Sequence, residues 1–115
     1  MTSIQIFGSR KSRDTQKAER FFKERGIKYQ FIDLAEKGMS KGELDSVKSV
    51  IPLEKLLDRG SGEFKRQNLA FMEFDIAEKL LEHPLLMKMP VVRCGKAAAC
   101  GFDPAELGRI AKAAE

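Results

Sequence analysis

Apolar residues recur along the chain with two different periods, and the change of period predicts its first elements. Residues 3–7 and 28–33 are short apolar runs, which predict two strands. Between them, residues 13–25 carry a helical stripe at i, i+3 and i+4, made of Ala18, Phe21 and Phe22. The order strand, helix, strand predicts two parallel strands joined by a crossover helix.

The middle of the chain has the pattern of short helices. Ser40 and Glu43 have the spacing of a capping box, in which each side chain bonds the other residue's backbone N–H. Residues 58–67 hold two glycines and no periodicity, so they predict a loop. Residues 73–82 predict a further helix that ends at His83 before a proline.

The last third predicts a hairpin and a helix. Residues 90–94 and 97–100 are apolar runs separated by Gly95-Lys96, the spacing of a two-residue hairpin turn. The next helix begins after Asp103, a favoured N-cap residue, and Glu106 completes a second capping box.

These elements together predict an α/β fold of the thioredoxin-like type. The β-α-β unit needs parallel strands and the β-β-α unit adds an antiparallel hairpin, so the sheet is four-stranded and mixed. The helical insertion spans about 38–88, and residues 1–115 form a single domain, because a chain of this length supports one core.

Composition narrows the class of protein. The chain is 43% hydrophobic and 33% charged, with no apolar run near the ~18 residues that cross a bilayer. The apolar stretch near the N-terminus is too short for a signal peptide, so we expect a cytoplasmic protein with no membrane partner. The net charge of +4 is spread among acidic residues, which argues against direct nucleic-acid binding. One histidine and two cysteines argue against a metal site.

Ser12 lies where the first strand passes into the first helix, and basic residues surround it. Backbone N–H groups and the helix dipole favour an anion there, and Arg10, Lys11 and Arg13 add positive charge. A cysteine at this position would react as a thiolate. A serine needs an adjacent base, and the single histidine, His83, is distant in sequence and best explained as a helix end.

Four segments of the sequence resemble the arsenate reductase (ArsC) family. They are FGSRKSRDTQKAERFFKERGI, FIDLAEKGMSKGEL, EHPLLMKMPVV and GKAAACGFDP, and they cover nearly the whole chain. This family includes the Spx transcription regulators and a branch of small proteins that use cysteine or selenocysteine. The resemblance implies a thioredoxin fold with a helical insertion and an oxidoreductase activity.

The resemblance also assigns roles to particular residues. Ser12 occupies the position of the reactive cysteine or selenocysteine, and Pro90 matches a cis-proline that faces it. Arg59 is the nearest match to one of three arginines that hold an oxyanion in arsenate-reducing members. Met89 and Phe102 stand where the other two are expected, which argues against arsenate reduction.

Three interpretations of Ser12 follow. It is a helix cap in a redox-silent relative, or it replaces a cysteine or selenocysteine, or it is itself catalytic. The second implies glutaredoxin-like monothiol or monoselenol chemistry, with the anion stabilised by Arg10, Lys11 and Arg13 and the substrate oriented by Met89 and Pro90. A chain with serine is then inactive as a reductase. The alternative function is an Spx-like binding protein that contacts RNA polymerase.

The two cysteines are predicted not to bond to each other. With Gly95-Lys96 as the turn, Cys94 pairs with Ala97 and Cys100 with Val91, so the thiols lie on opposite faces about 10 Å apart. A disulfide needs Cα atoms within ~7 Å. We expect small buried residues, with a resolving role as the alternative.

A reductase without a second thiol near residue 12 needs an external reductant, glutathione or a thioredoxin-type protein. We expect no bound cofactor, a small-molecule or protein thiol as substrate, and a monomer. Arg93 has two interpretations, a ligand or partner contact or a position on an edge strand. Five aromatic residues are assigned to the core: Phe21, Phe22, Phe31, Phe71 and Phe74.

Overall fold

A computed structural model describes residues 3–114, and its sheet has four strands in the order β2-β1-β3-β4. The strands are β1 (Ile4–Gly8), β2 (Tyr29–Asp33), β3 (Val91–Cys94) and β4 (Ala97–Cys100). β1 pairs parallel with β2 and antiparallel with β3, and β3 pairs antiparallel with β4. The predicted mixed four-stranded sheet is confirmed.

Helices connect these strands and cover both faces of the sheet. The long ones are α1 (Arg13–Glu24), between β1 and β2, and α6 (Pro104–Ala113), after β4. Four shorter helices lie between β2 and β3: α2 (Lys41–Lys48), α3 (Leu53–Leu56), α4 (Gly62–Arg66) and α5 (Ile76–Glu82). Within residues 3–114, no helix is long and apolar enough to cross a membrane.

Side-chain caps decide where most of these helices begin. Ser40 accepts a hydrogen bond from the Glu43 N–H, and the Glu43 carboxylate accepts one from the Ser40 N–H, so the predicted capping box is confirmed. Asp103 caps α6 as predicted. The second box is wrong, because the Glu106 carboxylate binds the Arg109 guanidinium instead.

The segment 58–67 is not a loop throughout, and that prediction is wrong. Ser61 caps α4 by accepting a hydrogen bond from the Phe64 N–H at 3.1 Å. Phe64 is only 4% exposed and packs in the core. The cap and the buried ring stabilise one helical turn in spite of two glycines and the absence of a periodic stripe.

The two faces of the sheet bury separate apolar clusters. Phe7 and Val91 face the block of short helices, whereas Ile6 and Val92 face α1 and α6. Side chains alternate along a strand, so the two cysteines follow the same rule. Cys94 packs in the second cluster and Cys100 against the first, and no disulfide joins them. The predicted pairings and opposite faces are confirmed.

One of the five predicted core aromatic residues lies outside the core. Phe21 and Phe22 are buried, and Phe31 and Phe74 are partly buried. The assignment of Phe71 is wrong, since its side chain is 91% exposed. It belongs to a short 3-10 turn, Leu69–Phe71, in which Leu69 is buried and the residue two positions later points away.

Arg93 does not lie on an edge strand, so that interpretation is wrong. β3 is an interior strand, and β2 and β4 form the edges of the sheet. The Arg93 guanidinium is half-buried and donates to Gln5 Oε1 and, at 3.3 Å, to Ser46 Oγ. These bonds join the sheet to α2, which gives Arg93 a structural role.

Candidate functional site

Ser12 caps α1 at the carboxyl end of β1. Its backbone is extended, with φ −78° and ψ 121°, and its N–H donates to the Ser9 carbonyl at 3.0 Å. The Ser12 Oγ accepts a hydrogen bond from the Thr15 N–H at 3.2 Å. The residue therefore lies at the positive end of a 12-residue helix, as the sequence predicts.

A close contact between β1 and α1 fixes the position of this helix end. A Cβ at Gly8 would lie 2.4 Å from Thr15 Oγ1, so only glycine fits there without a shift. Thr15 is fully buried, and its hydroxyl finds no hydrogen-bond partner within the part of the chain described. The loop that carries Ser12 is thus held between two tightly packed elements.

A cleft of about 340 Å³ opens beside Ser12. Its polar wall consists of Ser12, Arg13, Asp14, Asp58 and Ser61. Its apolar wall comes from the segment before β3, with Leu85, Met87 and Met89. The Met89-Pro90 peptide bond is cis, as the resemblance implies for Pro90. Segments almost 80 positions apart in the sequence therefore meet at this cleft.

Only one of the predicted cationic residues lines this cleft, namely Arg13. The Arg10 guanidinium lies over the Phe31 ring, 4.9 Å from its centroid, in a separate groove beside β2. Lys11 is exposed, and its backbone N–H donates to Ser9 Oγ at 3.2 Å. Arg10 and Lys11 are therefore close in sequence to the site without lining it.

Arg59 is also directed elsewhere. Its guanidinium binds the Glu54 carboxylate at 3.0 Å and lies 5.7 Å from the centroid of the Phe64 ring. It borders a different concavity, together with Cys100 and Lys88. The neighbouring Asp58 borders both this concavity and the Ser12 cleft, whereas Arg59 does not border the cleft.

The sequence-based interpretation missed the two carboxylates of the cleft. Asp14 stands in the first turn of α1, two positions after Ser12, which was a usable local signal. Asp58 has no such signal, because its place depends on a long-range contact. Its N–H donates to the Leu86 carbonyl at 2.9 Å, beside an isolated bridge between Leu57 and Met87.

Neither cysteine lies in this cleft. The Cys100 thiol lies 3.6 Å from the carbonyl oxygens of Lys55 and Lys88. Burial raises the pKa of Cys100 to about 11, with Lys88 opposing and Asp58 reinforcing the shift. Burial also raises the pKa of Cys94. Both thiols are protonated at neutral pH and poorly reactive.

His83 ends α5, as predicted, and its N–H donates to the Lys79 carbonyl at 2.8 Å. It is not among the residues that line the cleft, so no histidine base reaches Ser12 there. Between residues 3 and 114, no group of three or more histidine, cysteine or acidic side chains is arranged to hold a metal ion.

A larger concavity, about 640 Å³, lies near the loop between α1 and β2 and includes Tyr29. The Tyr29 hydroxyl donates to Glu19 at 2.9 Å. Burial, followed by the contact with Glu19, raises the pKa of Tyr29 to about 12. This concavity lies beyond the C-terminal end of α1, where the helix dipole disfavours an anion, so the smaller Ser12 cleft is the better candidate site.

Comparison with known proteins identifies the family of the chain. The ArsC family profile matches residues 7–110. The chain belongs to the ArsC family. No curated protein matches the chain by sequence.

Solved structures share the fold over nearly the whole chain. An ArsC family related protein from Bacteroides fragilis has 19% identity and a TM-score of 0.84, over 94% of this chain and 97% of that one. The arsenate reductase from Vibrio cholerae has 22% identity and a TM-score of 0.79, over 95% of this chain and 98% of that one. At such identities the likeness shows the fold alone.

A more distant likeness relates this ArsC family chain to the glutaredoxins. The glutaredoxin from Archaeoglobus fulgidus has 14% identity and a TM-score of 0.50, over 96% of this chain and 86% of that one. The predicted thioredoxin-like α/β fold is confirmed. The chain therefore shares its fold with this arsenate reductase and this glutaredoxin.

Proposed function

We propose that the Ser12 cleft is the substrate site of a glutaredoxin-like monothiol reductase, in which residue 12 is the position of the reactive cysteine or selenocysteine. One observation carries this proposal. Ser12 begins a long helix and shares an open cleft with Met89, which directly precedes Pro90. A thiol-bearing substrate can reach both residues from solvent.

The local geometry favours an anion at residue 12. A thiolate there would accept the hydrogen bond that the Thr15 N–H now donates to Ser12 Oγ. The helix N-terminus and Arg13 would lower its pKa. Arg10 and Lys11 contribute positive potential at longer range, and Arg59, held by Glu54, contributes nothing direct.

The backbone of Met89 is available to orient a substrate. Among residues 3–114, no backbone group bonds the Met89 N–H or carbonyl. An extended peptide could bond both groups, which would place its sulfur near residue 12. The reductant comes from outside, glutathione or a thioredoxin-type protein, because the cleft is lined by no cysteine of the described chain.

With serine at residue 12, this site lacks the sulfur that the proposed reduction needs. Ser12 Oγ has no histidine base in the cleft, and an alcohol without such a base is a poor nucleophile at neutral pH. A chain with Ser12 therefore binds a sulfur substrate without reducing it.

The test is Ser12→Cys, assayed with hydroxyethyl disulfide and glutathione, with glutathione oxidation followed by coupled NADPH consumption. We expect turnover for this variant and background rates for the unaltered chain and for Ser12→Ala. A folded Ser12→Cys protein that shows neither turnover nor a mixed disulfide at residue 12 would overturn the proposal.

A second candidate is a redox-silent binding protein of the Spx type, which contacts RNA polymerase. One observation favours it: Phe71 and Met72, outside the Ser12 cleft, are 91% and 52% exposed. Single exposed apolar side chains are common, but adjacent ones form the contiguous apolar patches that mark interaction surfaces. Binding of purified RNA polymerase that Phe71→Ala abolishes and Ser12→Ala leaves intact would favour this candidate, and absence of binding would remove it.

Both candidates assume a cytoplasmic monomer. Cell fractionation and sedimentation of the purified chain test these two assumptions.

A further inference from the structure

The charges that line the Ser12 cleft are unbalanced. Among the residues that line it, Arg13 carries one positive formal charge, whereas Asp14 and Asp58 carry two negative formal charges. Asp58 is held in place, because its Oδ1 accepts the Gly60 N–H at 3.0 Å and its own N–H donates to Leu86. Asp58 lines both this cleft and the neighbouring concavity, which Arg59 and Lys88 also border.

Two of the cations near the site are engaged elsewhere, and a third, Lys11, is exposed and acts only at longer range because it does not line the cleft. Arg10 lies over the Phe31 ring, and Arg59 is paired with Glu54 at 3.0 Å. Both would have to leave these partners to reach a ligand in the cleft. The positive end of α1 remains, but a thiolate at residue 12 would itself neutralise that charge.

The remaining wall offers no hydrogen-bond donors from side chains. It is formed by Leu85, Met87 and Met89, which present methyl, methylene and thioether groups. An oxyanion needs charged or N–H donors to replace its water, and these side chains supply none. They suit the apolar carbon and sulfur atoms that flank a thiol or disulfide.

We propose that this cleft selects its substrate by charge: it takes neutral or cationic thiols and disulfides in preference to disulfides with two negative charges and to free oxyanions. The inference rests on the proposed function and names the substrate class of the same site. Its basis is the juxtaposition of Asp14 and Asp58 with a single cation and an apolar wall.

The reaction that reports this selectivity is thiol–disulfide exchange in the Ser12→Cys variant. The residue 12 thiolate attacks one sulfur of a disulfide, the sulfur–sulfur bond of the probe breaks, and a mixed disulfide forms. The second half of the probe leaves as a thiolate and takes a proton from solvent. This exchange breaks one sulfur–sulfur bond and forms another, so it is balanced without a further reductant.

The experiment compares three disulfides of similar size. Cystamine carries two ammonium groups, hydroxyethyl disulfide is neutral, and dithiodipropionate carries two carboxylates. The rate constant of mixed-disulfide formation at residue 12 is measured by mass spectrometry at low salt. Each rate is divided by the rate with free mercaptoethanol, which removes the intrinsic reactivity of the probe.

We expect the normalised rate to be about three- to tenfold higher for cystamine than for dithiodipropionate, and the ratio to shrink as salt is added. Asp58→Asn in the Ser12→Cys background should lower the ratio about twofold or more. Asparagine keeps the oxygen that accepts the Gly60 N–H, so the loop is preserved. Asp14→Asn removes the other carboxylate as an independent variant.

Glu24→Gln is the matched control, because it removes the same charge from an exposed residue at the opposite end of α1. It should leave the ratio unchanged.

Inorganic phosphate, added at constant ionic strength as the oxyanion probe, should not slow the exchange. A ratio of one or less, an unchanged ratio in both asparagine variants, or protection by phosphate would overturn the inference alone. Failure of a folded Ser12→Cys protein to react with any probe would overturn the proposed function as well.

Discussion

The Thr15 backbone N–H lies 3.2 Å from Ser12 Oγ, so the first turn of α1 donates a hydrogen bond to the residue at the candidate reactive position. The same bond serves two purposes. It satisfies a helix N–H that would otherwise lack a partner, and it marks where an anionic sulfur would be stabilised.

Loss of the Ser12 cap of α1 should lower the stability of the protein by a measurable amount. Ser12→Ala removes the acceptor for the Thr15 N–H, and we expect the free energy of unfolding to fall by about 1 kcal/mol. Ser12→Asp keeps an acceptor and should retain most of the stability. Urea denaturation followed by circular dichroism gives both values. Equal stability of the alanine variant and the unaltered chain would show that the cap contributes nothing.

Packing at Gly8 should be sensitive to a single methyl group. Gly8→Ala places a Cβ 2.4 Å from Thr15 Oγ1, so we expect a loss of about 1–3 kcal/mol. Gly108→Ala is the control, because nothing lies within 4 Å of a Cβ at this helical position. It should instead stabilise the protein by about 0.5–1 kcal/mol. Two losses of similar size in thermal unfolding would contradict the contact.

Phe64 and Phe71 should respond oppositely to the same change. Phe64→Ala removes a ring that is 4% exposed and should cost about 3–5 kcal/mol. Phe71→Ala removes one that is 91% exposed and should change stability by less than about 0.5 kcal/mol. Chemical denaturation measures the free energy of unfolding of both variants. A large loss at Phe71 would mean that this ring is buried in solution.

Stability should fall in alkaline solution because of Cys100. Its pKa is raised to about 11 in the fold, whereas an unfolded thiol has a pKa of about 8.5. The neutral form favours folding, so its contribution is complete below pH ~8.5 and is lost as the pH rises towards 11. Cys100→Ala should flatten the pH dependence of unfolding between these values. The slope that remains belongs to Cys94 and, at higher pH, to Tyr29. An unaltered slope would rule out the buried thiol as its cause.

Strands and caps were predictable because their signals are local. The hairpin around Gly95-Lys96 and the capping box from Ser40 to Glu43 depend on residues close in sequence. The same is true of Ser12, whose place between a strand and a helix follows from the pattern alone. Pro90 came from the family resemblance, and its cis bond agrees with it.

The directions of the long charged side chains were not predictable. Arg10 and Arg59 each lie within two positions of a residue that lines the cleft, but Arg10 contacts the Phe31 ring and Arg59 binds Glu54. Asp58 reaches the cleft through a contact with Leu86, which no local pattern encodes. Helix α4 was missed because a single buried ring, Phe64, carries no periodicity.

The pKa of the thiol in Ser12→Cys tests the central claim most directly. Alkylation by iodoacetamide is followed against pH, with the unaltered chain as the background for Cys94 and Cys100. A pKa clearly below the ~8.5 of an ordinary cysteine is the predicted result, because the helix end and Arg13 stabilise the thiolate. A pKa at or above that value would contradict a site built for a reactive sulfur.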